Sequence, residues 1–320
     1  MKVIYHPRFS WTRNGHFPGD DHIEHPRRLA AVNQSLRELF SEDDLIQAKP
    51  SFKAQNALEA THYGRYIEDI EERCKELTDR IDLKDEGETA SLDDAIETRL
   101  SRKSYKVATL AVGAAIQAAD IAQKGGKAFA LVRPPGHHAH RDSGHGFCLF
   151  NNVAIAAEYL ARIDNVNRIL IIDIDIHFGD GTYEICSNSD NSNRLYYLSF
   201  NQENLFPHPD VSQETINSTN IFLPKDTSDR SYNRALDGHI YKTIKKFKPN
   251  IIAVSAGFDT CRYDSEAYSE TLGVGFSLTE DSYSHFKKIL DRTNLPYFLV
   301  LEGGYHPTSI EIGLRVFAEK

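Results

Sequence analysis

Five short apolar runs rich in β-branched residues recur along the chain, at 128–132, 168–174, 195–200, 250–255 and 297–301. Runs of this length and composition are what strands buried on both faces look like. Helical patterns fall between them, most clearly at 103–123, 151–163, 230–247 and 279–291. Alternating strand and helix specify stacked βα units, so the expected fold is α/β, a doubly wound open parallel β-sheet flanked by helices. With 320 residues, 40% of them hydrophobic, the chain can bury one substantial core, and a single domain over 1–320 is expected. The stretches 18–28 and 71–100 lack strand patterning, the second reading as a long helix followed by a polar loop.

Charge and cysteine usage narrow the function. A net charge of -9 and a sequence pI near 5.9 oppose an extended phosphate-binding surface, so nucleic acid is not an expected partner. The four cysteines, Cys74, Cys148, Cys186 and Cys261, show no CxxC spacing and signal neither a structural zinc nor a disulfide framework. No window approaches the roughly 18 apolar residues of a membrane span, and the opening Met1–Pro7 lacks a signal-peptide run, so a soluble, cytoplasmic protein is expected.

Chemistry concentrates where the strands end, the place at which open α/β sheets gather binding groups. The first such end carries Arg133-Pro134-Pro135-Gly136-His137-His138, and two imidazoles after a Gly turn can share proton transfer beside a metal. The second runs from Ile169-Leu170-Ile171-Ile172 into Asp173, Asp175 and His177. Their two-residue spacing would put all three side chains on one strand face. A carboxylate at a buried strand end carries a desolvation cost that a divalent cation offsets. One strand cannot enclose an ion, and the best-placed further ligand is Asp259, at the end of the run 251–258. Asp175, His177 and Asp259 therefore form the expected metal set, with Asp173 in another role. One histidine, two carboxylates and an open position suit Zn2+ and also Fe2+. Taken singly, Asp175 reads as a turn cap, His177 as a satisfied core histidine and Asp259 as a strand end. Their joint occurrence with the His pair favours a metal-dependent amide hydrolase.

These motifs, together with Gly146-Phe147-Cys148, Asn151-Asn152, Glu302-Gly303-Gly304-Tyr305, and the opening segments Tyr5-His6-Pro7, His25-Pro26-Arg27-Arg28-Leu29 and Thr61-His62-Tyr63, resemble the histone deacetylase and acetylpolyamine amidohydrolase superfamily over most of the chain. The resemblance implies an arginase-like fold and hydrolysis of an acetyl group from an amine. It implies zinc ligation by Asp175, His177 and Asp259, and acid–base work by His137 and His138, not divided further, with Asp173 and Asp180 behind them. Tyr305 matches the family's transition-state tyrosine, its hydroxyl presented by the Gly-Gly turn. Phe147 and Phe206 match aromatic positions of the substrate tunnel, with Gly146 leaving room for an aliphatic chain. A structural K+ is implied on the main-chain carbonyls of Asp173, Asp175 and His177 with Ser199 and Phe200.

Two departures bear on the substrate. Phe178 stands where many members carry a second His, which touches outer-shell hydrogen bonding. The segment 265–275 departs from the usual loop and is expected to border the tunnel mouth. Counting from Asp259, Glu266 falls where the polyamine-deacetylating branch places an acidic gatekeeper for a second ammonium group, and Glu97 is a second candidate rim carboxylate. Polar length at 18–21, 86–99 and 265–271 would narrow the mouth and favour a small acetylated amine over acetyllysine in protein. The alternatives are a protein lysine deacetylase and, more remotely, a non-catalytic acyl-amine binding module. A homodimer is compatible with long rim loops.

Overall fold

The protein is described from a computed structural model covering residues 1–78, 88–93, 97–208 and 211–319. The strands are β1 (Lys2–Tyr5), β2 (Leu45–Gln47), β3 (Ala90–Ser91), β4 (Arg99–Leu100), β5 (Lys127–Ala130), β6 (Ile169–Asp173), β7 (Leu195–Gln202), β8 (Ser218–Leu223), β9 (Ile251–Ala256) and β10 (Tyr297–Leu301). Strands β3 and β4 form a small antiparallel pair. The other eight form one open sheet in the order β2-β1-β5-β10-β9-β6-β7-β8, parallel throughout.

The five expected runs are the strands β5, β6, β7, β9 and β10, and four of them stand together as the sheet's centre, β5-β10-β9-β6. Every residue of β6, β7, β9 and β10 is buried, which explains why their sequences are mostly apolar. The strands β1, β2 and β8 are not anticipated from sequence. They are short or partly exposed, β1 and β8 being buried only in part and β2 having no fully buried residue, so their patterns are too weak to stand out.

Helices flank the sheet in two groups. Phe52–Thr61, Ser104–Gln123 and Asn152–Ala161 pack on one another, and Glu280–Thr293 packs on both Asp229–Phe247 and Pro307–Ala318. The first group includes the Ala-rich helix Ser104–Gln123, whose small side chains let it lie close on β1, β5 and β10. None of the described helices is long and apolar enough to cross a membrane. One expectation is corrected: much of 265–275 is not loop but the end of helix Arg262–Leu272, which stops at Gly273 with φ 73°, a backbone conformation glycine adopts without strain. Of the expected rim segment 86–99, residues 86–87 and 94–96 lie outside the described residues.

The two helical arms nearest the His-His turn are joined by a buried histidine. His62 Nε2 accepts from the Asn151 backbone N–H at 3.0 Å, and burial lowers its pKa to about 3. In the unfolded chain the same imidazole titrates near the ordinary value of about 6.5. Below that pH the unfolded state takes up a proton the folded state refuses, so stability falls as pH drops from about 6.5 to about 3. Equilibrium denaturation across this window should show a shallower acid dependence in His62→Gln, the slope being the readout.

Candidate active site

The sheet order brings the chemical motifs together. The segments that follow β5, β6, β9 and β10 leave four adjacent strand ends, and they carry His137 and His138, then Asp175 and His177, then Asp259, then Glu302 to Tyr305. Only Asp173 lies on the strand β6 itself. Asp175 and His177 follow its end, where local hydrogen bonds rather than strand pleating align them. The Asp175 N–H donates to Asp173 Oδ1 at 3.1 Å and the His177 N–H to Asp175 Oδ1 at 2.9 Å.

His177 Nδ1 stands 3.1 Å from Asp175 Oδ1 and 3.1 Å from Asp259 Oδ2. The three groups offer ligand atoms within 4.8 Å of one another, all buried. The other carboxylate oxygens are anchored, Asp175 Oδ2 by the Gly303 N–H at 2.8 Å and Asp259 Oδ1 by the Ile176 N–H at 3.1 Å. Gly303 is required here, because a Cβ on it would overlap Asp259 Oδ2. A tetrahedral site with metal–ligand bonds of about 2.0–2.1 Å has edges of about 3.3 Å, so these separations fit a divalent ion with little movement.

Electrostatics point the same way. Burial pushes Asp259 up, and the neighbouring Asp175 charge adds to it; burial also raises Asp173. Burial works against a charged His177, yet Asp175 and Asp259 outweigh it and raise its pKa to about 9. Carboxylates this close in a dry interior repel one another, a cost that a cation relieves.

The His pair sits beside this set. His137 Nδ1 lies 3.2 Å from Asp173 Oδ2, which also accepts from the Tyr197 hydroxyl at 2.9 Å. His138 Nδ1 lies 2.7 Å from Asp180 Oδ1. The turn bearing them is held by a group that sequence reading left without a role: Glu302 Oε2 accepts from the Gly136 and His137 N–H groups at 2.6 and 3.0 Å. Asn151 caps helix Asn152–Ala161 by accepting from the Ala154 N–H and, through Nδ2, donates to the Ala139 carbonyl at 3.1 Å. Burial is the largest influence on both imidazoles and disfavours their charged forms. It takes His138 down to about 3, with charged His137 adding to the effect. At His137 the charges of Asp175 and Asp173 outweigh burial and hold the pKa well above the ordinary value.

A cavity of about 450 Å³ opens above the set. His138, His177 and Tyr305 line it together with Gly146, Phe147 and Phe206. Phe206 meets the His138 ring edge-on at 5.1 Å, and Phe147 meets Tyr305 edge-on at 5.7 Å. Gly146 has φ 53°, and a Cβ there would press on the His138 ring. Tyr305 is placed by residues distant in sequence: Asp264 Oδ1 accepts from its backbone N–H at 2.6 Å. The Arg28 guanidinium lies 4.6 Å from its ring centroid and donates to the Gly304 and Glu302 carbonyls, each at 2.6 Å.

Of the two expected rim carboxylates, only Glu97 lines the cavity. Its carbonyl accepts from His22 Nε2 at 2.7 Å, and the next residue clamps it further, Thr98 Oγ1 accepting from the Phe147 N–H at 3.0 Å. Burial and the Asp93 charge raise its pKa. Glu266 does not line the cavity. It lies exposed on helix Arg262–Leu272, because the segment is helical, and Thr271 and Leu272 from that helix's end occupy the wall instead. Phe178 is buried and packs among Tyr183, Tyr197 and Phe222. Ser199 pairs in register with Asp173 across β6 and β7, and its hydroxyl donates to Asn201 Oδ1 at 3.1 Å.

An open parallel sheet with carboxylates and histidines at adjoining strand ends, beneath a cavity, has the architecture of the arginase-deacetylase class of fold. Residues 22–319 match the family model described as Histone deacetylase domain, and the chain belongs to that family. A protein of Archaeoglobus fulgidus named as a probable deacetylase is 35% identical over 267 residues, covering 80% of this chain and 68% of that one. The crystal structure of the HDA15 HD domain matches with a TM-score of 0.81 at 25% identity, over 99% of this chain and 89% of that chain. The acetylpolyamine aminohydrolase of Burkholderia pseudomallei shares the fold, with a TM-score of 0.77 at 23% identity, over 99% and 97%. By family the chain is placed among the deacetylases.

Proposed function

We propose that the protein is a metal-dependent amidohydrolase that removes acetyl groups from small cationic amines of the polyamine type, with Asp175, His177 and Asp259 holding Zn2+ or Fe2+ and main-chain carbonyls near Asp173, Asp175, His177, Ser199 and Phe200 holding K+. The observation that carries this reading is the meeting of His177, His138 and Tyr305 at one cavity, directly over two buried carboxylates. A divalent ion in that set supplies Lewis-acid polarisation of an acyl carbonyl and acidification of a water molecule.

The chain's own groups do the rest. Phe147 and Phe206 flank the aliphatic stem of the substrate and exclude water from it. Tyr305, kept protonated by burial, donates its hydroxyl hydrogen to the acyl oxygen as negative charge develops there. The His pair removes the proton from water and returns one to the leaving nitrogen, as the new C–O bond forms and the C–N bond breaks, releasing acetate and free amine. Asp173 and Asp180 hold the two Nδ1 positions, so each ring presents Nε2 for that transfer.

Glu97 supports the small cationic substrate, since an acidic residue lining the cavity can attract a second ammonium group. Turnover of an N-acetylated polyamine should exceed that of an acetyllysine peptide on protein loaded with zinc or iron; the reverse order would favour the protein lysine deacetylase. Glu97→Gln should raise KM for the acetylpolyamine about fivefold with kcat little changed, the effect expected of one partly solvated charge pair. An unchanged KM would remove Glu97 from substrate recognition.

A further inference from the structure

Outward from the His pair lies a second cluster that deacetylation as described does not use. Asp180, the first residue of helix Asp180–Ser187, gives Oδ1 to His138. Its other oxygen, Oδ2, stands 2.8 Å from His140 Nε2 and 2.9 Å from His145 Nε2. The three groups offer ligand atoms within 4.8 Å of one another. His145 Nε2 is buried and makes no hydrogen bond of acceptable geometry despite that distance. The imidazole rings of His140 and His145 lie 5.2 Å apart, tilted by 39°.

Two imidazole nitrogens aimed at one carboxylate oxygen describe three corners of a coordination sphere. Opening the two N···O separations by about 0.4 Å gives the edges of a tetrahedral site with bonds of about 2.0–2.1 Å. The cluster lies nearer the surface than the deep set, both histidine side chains being 27% exposed against 8% for His177.

We propose that His140, His145 and Asp180 form a second divalent-cation site, suited to zinc and other ions that favour imidazole, and that filling it slows turnover. An ion on Asp180 Oδ2 withdraws charge from Oδ1, which then accepts more weakly from His138 Nδ1 and holds that ring less firmly in position. Binding stands on the cluster alone; the slowing rests on the role given to His138 under the proposed function.

The test separates the two. Equilibrium dialysis of the whole chain against zinc should give two equivalents for the wild type, one for His140→Gln/His145→Gln and one for Asp259→Ala. A single equivalent in the wild type, or two in the double variant, overturns the site. These counts do not depend on any substrate being turned over, so they hold even if the acetyl-amine reading fails. In the deacetylase assay, zinc added beyond the first equivalent should inhibit the wild type. The midpoint should move at least tenfold upward in His140→Gln, whose activity at one equivalent stays near that of the wild type. Two equivalents bound with the same inhibition midpoint in His140→Gln would leave a binding site and overturn its effect on turnover.

Discussion

Asp175→Asn is expected to lower kcat/KM by a factor on the order of a thousand or more and to strip the deep metal site. Both Asp175 oxygens already accept backbone hydrogen bonds, Oδ1 from the His177 N–H and Oδ2 from the Gly303 N–H. An asparagine of the same shape must turn its NH2 toward one of those donors, leaving a buried N–H unpaired at a cost of about 1–3 kcal/mol. It also removes half of the carboxylate charge facing His177. Without the ion, water keeps its bulk acidity rather than falling to a pKa of about 7, which accounts for the size of the expected loss. Metal analysis after dialysis, thermal denaturation and steady-state kinetics on the same preparation form the check. Activity within tenfold of the wild type would place the catalytic ion elsewhere. The unsubstituted protein should likewise lose activity to a chelator and regain it on adding zinc or ferrous iron.

The candidate ligands stand out in the sequence, but how they meet does not. The interior strands are legible because burial on both faces demands unbroken apolar runs, and the polar residues that interrupt such runs at their ends stand out against that background. Nothing local, however, states that β5 and β6 are separated by β10 and β9, and this order is what makes Asp259 and the Gly303 N–H neighbours of Asp175. The supports of the site are hidden for the same reason. Arg28 reaches Gly304, Glu302 reaches Gly136, and Tyr197 reaches Asp173, contacts between residues far apart in the chain with no periodicity to betray them. The misplacement of Glu266 has a different origin. Counting along a loop assumes an extended path, and 262–272 is helical, which turns Glu266 outward; Gly273, a helix-stop signal, marked that end in the sequence. Glu97 lies in a segment without strong pattern, and its position at the cavity depends on the clamp between Thr98 and Phe147.

Tyr305→Phe should cost about a hundredfold in kcat while leaving the fold and KM nearly unchanged. The substitution removes only the hydroxyl. What holds the ring, the Arg28 guanidinium over its face and the edge of Phe147, remains, as does the Asp264 carboxylate on its backbone N–H. Loss of a single donor to a developing oxyanion raises the barrier by about 3 kcal/mol, and because that hydrogen bond strengthens only as charge builds, the penalty falls on kcat. The pH profile tests the same assignment from another side. Burial, with the nearby Asp259 charge adding to it, raises the phenol pKa well above the ordinary value of about 10, so the hydroxyl stays protonated and able to donate throughout the neutral and mildly alkaline range. Any alkaline fall in kcat below pH 10 should therefore persist in Tyr305→Phe with an unchanged midpoint. Near-normal turnover in the variant would mean that the acyl oxygen is stabilised without this hydroxyl. A vanished alkaline limb would mean that the phenol itself titrates and carries a proton rather than a hydrogen bond.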